Sequence, residues 1–197
     1  MNTKAERTRQ YIIEKTAPIF NAKGFAGTSL SDITEATGLT KGSIYGNFAN
    51  KDEVALAAFD HNLKQVSDGI RALQQQYTSP LDKIRACIDF YRDSYRFEYM
   101  HAGCPIANAG TEADDTHPLL RARVKDALSA WRRSLEKLVQ RAIDAGELKA
   151  DTKVADFSVL FISMIEGGVM LSKATGDRSY LTKTMKYVDT FVNMHCT

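Results

Sequence analysis

Apolar side chains recur at three- and four-residue spacing along almost the whole chain, and no stretch alternates apolar and polar residues as a half-buried strand would. That periodicity restricts the fold to an all-α one. Gly, Pro, Ser, Thr and Asn punctuate it into about nine helices. The first helix is expected over residues 4–22, with Ile12, Ile13, Thr16, Ala17 and Phe20 inward and Gly24 ending it. Ser29 with Asp32 forms a capping pair for a second helix from Leu30, which Gly38 stops. Thr40 caps a third helix that ends near Asn47. Asn50 with Glu53 opens a fourth, to about Gln75, whose inner row is Leu56, Phe59, Leu63, Val66, Ile70 and Leu73.

Ser79-Pro80 starts a fifth helix, expected to reach about Tyr99, because proline is tolerated in a first turn. A short sixth follows Pro105. The seventh begins near Pro118 with the stripe Leu120, Val124, Leu128, Trp131, Leu135, Leu138 and Val139, and ends at Gly146. The eighth is expected from Asp151 to about Thr175, and the ninth from Ser179 to about Cys196. No internal repeat or low-complexity linker interrupts the chain. Two domains are expected, residues 1–50 and residues 51–197.

The run from Thr28 to Lys51 carries the functional signal. Two short helices flank a turn at Gly38, and Ile33, Ala36, Leu39 and Ile44 supply one shared apolar contact. This is the pattern of a helix-turn-helix, whose second helix enters the major groove of duplex DNA. The outward residues of that helix are small, polar or cationic: Thr40, Lys41, Ser43, Tyr45 and Asn47. Gly42 and Gly46 remove side chains that would hold the backbone off DNA. Lys41 can meet a phosphate or guanine, and Asn47 can pair with adenine if it reaches a base edge. Thr28, Tyr45 and Lys51 are expected at phosphates. Residues 1–51 hold seven basic against four acidic side chains, whereas the whole chain carries a net charge of only +2. A positive end on a near-neutral body suits a DNA-binding head.

From Gly24-Phe25 through Thr28-Ser29, Ile33, Ala36, Gly38, Lys41-Gly42, Ile44-Tyr45, Phe48 and Lys51, the sequence resembles the DNA-binding domain of TetR/AcrR-family regulators. The resemblance covers about the first 60 residues. It implies a homodimeric repressor on a palindromic operator, released by a small-molecule effector or by thiol modification. It also implies Thr28, Lys41, Ser43, Tyr45, Asn47 and Lys51 as DNA-facing positions. One departure is Gly46, where the family often carries a bulky residue, commonly His. The stretch Ala102-Gly-Cys-Pro-Ile, with Glu112 after it, resembles one recurrent subtype of the C-terminal domain.

For the remainder, helices five to eight are expected to enclose an effector pocket lined by Phe90, Tyr91, Tyr95, Tyr99, Met100, Cys104, Trp131, Phe161 and Met164. Read singly, each is also an ordinary core residue. Helices eight and nine are apolar on more than one face. Phe157, Ile165, Val169, Met185, Val188 and Val192 are therefore expected at a dimer interface, with internal burial as the alternative.

Cys87, Cys104 and Cys196 are too few and too scattered for a disulfide framework, which fits a reducing compartment. Cys104, near the start of the sixth helix, is a candidate for a thiol of lowered pKa, against the plainer reading of a small buried residue. His101, Cys104 and His117 match no closed zinc set, so no metal and no cofactor is expected. The N-terminus shows no apolar signal region and no stretch reaches about 18 uninterrupted apolar residues, so a cytoplasmic location without a membrane partner is expected. Enzyme motifs are absent. The competing readings are an all-helical protein-interaction module and, more remotely, a small-molecule enzyme.

Overall fold

The structure is a computed structural model that describes residues 3–113 and 117–197. Among the described residues it contains nine α-helices and no strand: α1 (Lys4–Gly27), α2 (Leu30–Thr37), α3 (Lys41–Tyr45), α4 (Lys51–Gln74), α5 (Pro80–Arg92), α6 (Pro105–Ala113), α7 (Pro118–Asp144), α8 (Val154–Thr175) and α9 (Ser179–Met194).

Most ends follow from local chemistry. Ser29 Oγ accepts the Asp32 N–H while the Asp32 carboxylate accepts the Ser29 N–H, a complete capping box. Gly38 closes α2 in the left-handed region, and the Thr40 hydroxyl caps α3. Asn50 Oδ1 accepts the Glu53 N–H at the head of α4. Three ends differ from the sequence reading. Helix α1 resumes past the expected end at residue 22 and reaches Gly27, kinked at Gly24. Helix α5 stops at Arg92, and Ser94–Arg96 and Glu98–Met100 form two 3₁₀ turns in place of a continuous helix to Tyr99. Phe97 leaves helical geometry there, and its ring stacks between Phe90 and Tyr99 at 5.1 and 5.5 Å. That aromatic packing overrides helix propensity. Helix α8 starts at Val154, three residues later than expected, because Lys153 is its N-cap residue.

The chain divides into two compact units whose boundary does not follow the expected break after residue 50. The first unit comprises the chain up to Gln65 together with Pro105–Lys125, so α6 and the start of α7 pack with the N-terminal helices. Its core is Ile12, Ala17, Phe20, Ile33, Ile44, Phe48, Val54, Ala55 and Ala58. The buried row of α4 therefore lies on Val54, Ala55, Ala58, Phe59, Asn62 and Val66, and the expected Leu56, Leu63, Ile70 and Leu73 are only half-buried. Asn62 sits in that row because its amide donates to the Ala17 carbonyl at 2.8 Å.

Helix α6 is fixed to α1 by a backbone nest. Gly24 adopts φ +76°, interrupting α1. The N–H groups of Phe25 and Ala26 then both donate to the Glu112 carboxylate, each at 2.7 Å. Asn108 donates to the Asn21 carbonyl and side-chain oxygen at 3.1 and 2.9 Å. His117 follows: its Nδ1 accepts the Leu120 N–H, its Nε2 lies 3.8 Å from Asp52 Oδ2, and its ring meets Phe25 edge-on at 4.4 Å.

The second unit comprises Val66–Cys104 and residues 126–197. Helices α8 and α9 pack closely because Gly168 has no side chain: a Cβ there would lie 2.8 Å from Thr184. Phe157, Ile165 and Val169 from α8, and Met185, Val188 and Val192 from α9, are all buried within the protomer. The six residues expected at a dimer interface are thus already covered, which corrects that expectation. The exposed apolar residues of these helices are instead Val159, Leu160, Met170 and Leu171 on α8, and Tyr180, Tyr187 and Met194 on α9. Within the α7 stripe, Leu128 is exposed and Ala127 buried in its place. By length and composition α8 alone among the described helices is long and apolar enough to cross a membrane, a property of its doubly apolar surface.

Gly24→Ala combines a strained φ with a Cβ 2.5 Å from the Glu112 carboxylate. It should destabilise the protein by about 1–3 kcal/mol and speed amide exchange at Phe25 and Ala26. Gly38→Ala, strained in φ but with open space around the added methyl, should cost about 1 kcal/mol and leave that exchange unchanged. Thermal unfolding and exchange mass spectrometry measure both.

Candidate functional site

Helix α3 has five residues, too short to be stable alone, and is held entirely by its surroundings. Ile44 and Phe48 are buried in the first unit's core. Arg9 of α1 clamps the far end: its guanidinium donates to the Asn47 carbonyl, pairs with Glu53 at 2.7 Å and lies 4.0 Å over the Phe48 ring. Glu53 also accepts the Ala49 N–H at 2.7 Å, and these contacts hold its carboxyl below the usual range. Tyr11 donates to the Thr37 carbonyl at the end of α2. Lys23 hydrogen-bonds Asp32 at 2.6 Å; with the backbone and hydroxyl of Ser29 it holds that carboxyl well below the ordinary carboxylate range.

With α3 anchored on one side, Thr40, Lys41, Gly42 and Tyr45 are exposed on the other, and Ser43 is half-buried. Gly42 is informative. A Cβ there would meet only Thr40 Oγ1 at 3.9 Å, so the packing of the protein itself does not require glycine. Gly46 is tighter, 3.3 Å from the Gly42 carbonyl.

Two expected DNA contacts are placed differently. Thr28 is fully buried and its hydroxyl donates to the Gly24 carbonyl at 2.7 Å, so its side chain is a structural brace and not a phosphate contact. The Asn47 amide donates to the Ser43 carbonyl at 2.9 Å, which commits one of its two N–H donors within the protein. Lys51 is half-buried, with Nζ 4.4 Å above the Phe25 ring. Arg9 was missed by sequence reasoning because its partners lie about 40 residues away.

In the second unit the expected pocket aromatics separate into two groups. Phe90, Tyr91 and Phe161 are buried, Tyr91 stacking on the half-buried Trp131 at 5.8 Å. Tyr99 is packed over Gly69, where an added Cβ would lie 2.6 Å from its hydroxyl and 2.7 Å from the Phe90 ring. Met164 is half-buried on α8. Tyr95 and Met100, by contrast, line an open cleft of about 450 Å³, together with Ser94, His101, Gly103, Val169, Lys173 and Arg178.

Cys104 is 1% exposed, which removes the accessible thiol considered from sequence. It lies against Tyr91 and against the buried carboxyl of Glu166 on α8. Burial pushes Glu166 up to about 7, the Cys104 thiol opposing it in part. Burial likewise raises Tyr91 well above its ordinary value and pushes Cys87 up to about 12.

The first unit therefore defines a helix-turn-helix module with its second helix turned outward. Residues 12–58 match the family model of bacterial regulatory proteins of the tetR family, and residues 80–188 match the tetracyclin repressor-like C-terminal domain. A TetR-family transcriptional regulator from Cytophaga hutchinsonii is 39% identical, with a TM-score of 0.95 over all of this chain and 98% of that one. One from Chloroflexus aurantiacus is 34% identical, with a TM-score of 0.92 over 98% of both chains. An HTH-type transcriptional regulator from Lactococcus lactis is 26% identical over 93% of this chain and 92% of its own length. The chain belongs to the TetR family of DNA-binding transcriptional regulators.

Because the folded state raises the Glu166 pKa from 4.5 to about 7, it holds a proton that the unfolded chain releases earlier. The associated stability is present below about pH 4.5 and is lost as pH rises to about 7. Melting temperature should fall from pH 5 to pH 8, and Glu166→Gln should flatten that fall, stabilising the protein at pH 8 by on the order of 1–3 kcal/mol. A pH profile shared by both proteins would contradict this assignment.

Proposed function

We propose that the protein is a cytoplasmic, homodimeric repressor that releases its operator when a small molecule occupies the second unit. The observation that carries this reading is the outer face of α3. Thr40, Lys41 and Tyr45 are exposed beside Gly42, while Ile44 is fully buried. Glycine inside a helix costs about 1 kcal/mol relative to alanine, and no contact within the protomer accounts for it at position 42. A surface outside the protein that must approach this backbone closely does, and the major groove is such a surface.

Dimerisation supplies the second reading head. The outer apolar residues Val159, Leu160, Met170 and Leu171 of α8, with Tyr180, Tyr187 and Met194 of α9, form the surface we assign to the partner copy. Gly167, with nothing within 4 Å of an added Cβ, leaves room there for a facing helix.

Effector release requires a link between the cleft and the head. His101 and Gly103 line the cleft, and Pro105 begins α6 only two residues later. Displacement of that segment by a ligand pulls on α6, which Glu112 and Asn108 tie to Gly24–Ala26 and Asn21. The ligand acts only through its differential affinity for the two positions of α6.

Duplex binding followed by fluorescence anisotropy should weaken steeply with salt. Lys41→Ala should lower affinity on every sequence and reduce the salt slope by about one. Affinity and slope both unchanged by Lys41→Ala would overturn the assignment of α3 as the reading helix. The interaction-module alternative requires no salt-sensitive duplex binding at all.

A further inference from the structure

The cleft in the second unit has an uneven chemistry. Its floor is apolar, with Met100 5% and Val169 6% exposed. Its rim is cationic, carrying Lys173 and Arg178 beside His101, and among the described residues no carboxylate lines it. Asp177, the nearest acidic residue in sequence, is committed to the start of α9, accepting from the Ser179 N–H and hydroxyl at 2.8 Å each.

Arg178 is the best-defined group at the mouth. Its guanidinium lies 3.6 Å from the centre of the Tyr95 ring. Arg96 also approaches Tyr95, at 5.7 Å, but is paired with Asp93 at 3.5 Å. Arg178 makes no ion pair with a described carboxylate. A planar fork held against a ring, with its donors uncommitted, is arranged for a two-oxygen anion. His101 supports the Tyr95 backbone: Nε2 donates to the Tyr95 carbonyl at 3.0 Å, which fixes the loop bearing the ring.

We infer that this cleft binds an amphipathic organic anion, a carboxylate or sulfonate on an apolar ring-bearing body, with the acid on Arg178 and the body over Met100 and Val169. A volume of about 450 Å³ matches a ligand of drug-like size. The inference deepens the regulator reading and rests on it only for the consequence at DNA, since occupancy of the cleft is measurable without DNA.

The test titrates the full chain with 8-anilinonaphthalene-1-sulfonate by fluorescence, beside its neutral relative N-phenyl-1-naphthylamine. The sulfonate should bind saturably and more tightly than the neutral amine. Arg178→Ala should weaken the sulfonate about tenfold and the neutral amine less than about twofold, with Arg178→Lys in between. Saturating sulfonate should also weaken duplex binding of the parent protein. Sulfonate binding unaffected by Arg178→Ala, or an equal loss for both probes, overturns the inference. Duplex binding without any sulfonate binding overturns it too while leaving the regulator reading standing. Arg178-dependent sulfonate binding without duplex binding supports the site and refutes the regulator reading instead.

Discussion

The helix that meets DNA in this reading cannot hold itself together. Five residues fix too few backbone hydrogen bonds to offset their ordering entropy, so the position of α3 is inherited from Ile44 and Phe48 in the core and from Arg9 at its end. The apolar anchor and the guanidinium clamp act on opposite ends of the same short segment. Between them they leave one face for solvent or DNA. Recognition through α3 depends on that anchoring.

The same principle extends to α6. A helix of nine residues is tied to α1 by a carboxylate in a two-donor nest that exists only because Gly24 enters the left-handed region. Charge-assisted hydrogen bonds of this kind are strong and geometrically narrow. They tie α6 to the end of α1, from which the chain enters α2 after two residues. The helix-turn-helix and α6 thus share one packed unit, which is why the compact division of the chain departs from a simple break after residue 50.

What was legible in the sequence was local. The capping of α2 by Ser29 and Asp32, the left-handed stop at Gly38 and the cap at Thr40 are decided within four residues, and each was found where the pattern put it. The helical nature of the whole chain and the membership of its first 60 residues were legible for the same reason. What escaped needs partners distant in sequence. Thr28 reads as a polar surface residue until Gly24 offers it a carbonyl in the interior. Phe97 reads as helical until Phe90 and Tyr99 give it a better stack. Helices α8 and α9 are apolar on more than one face, so periodicity could not tell which half faces inward. Met185, Val188 and Val192 went to the core, and Tyr187 and Met194 stayed outside. The cleft was legible only in part, through Tyr95 and Met100, because a rim of lysine and arginine looks like any solvated surface until the fold brings it around an apolar floor.

The central claim is that α3 is presented outward, and in duplicate, to duplex DNA. Selection of binding sites from a random duplex library tests it most directly. Enriched sequences should carry two half-sites related by a two-fold axis and spaced by about one helical turn, roughly 34–36 Å, or a multiple of it. Recovery of no preferred sequence, or of a single unpaired half-site, would contradict it.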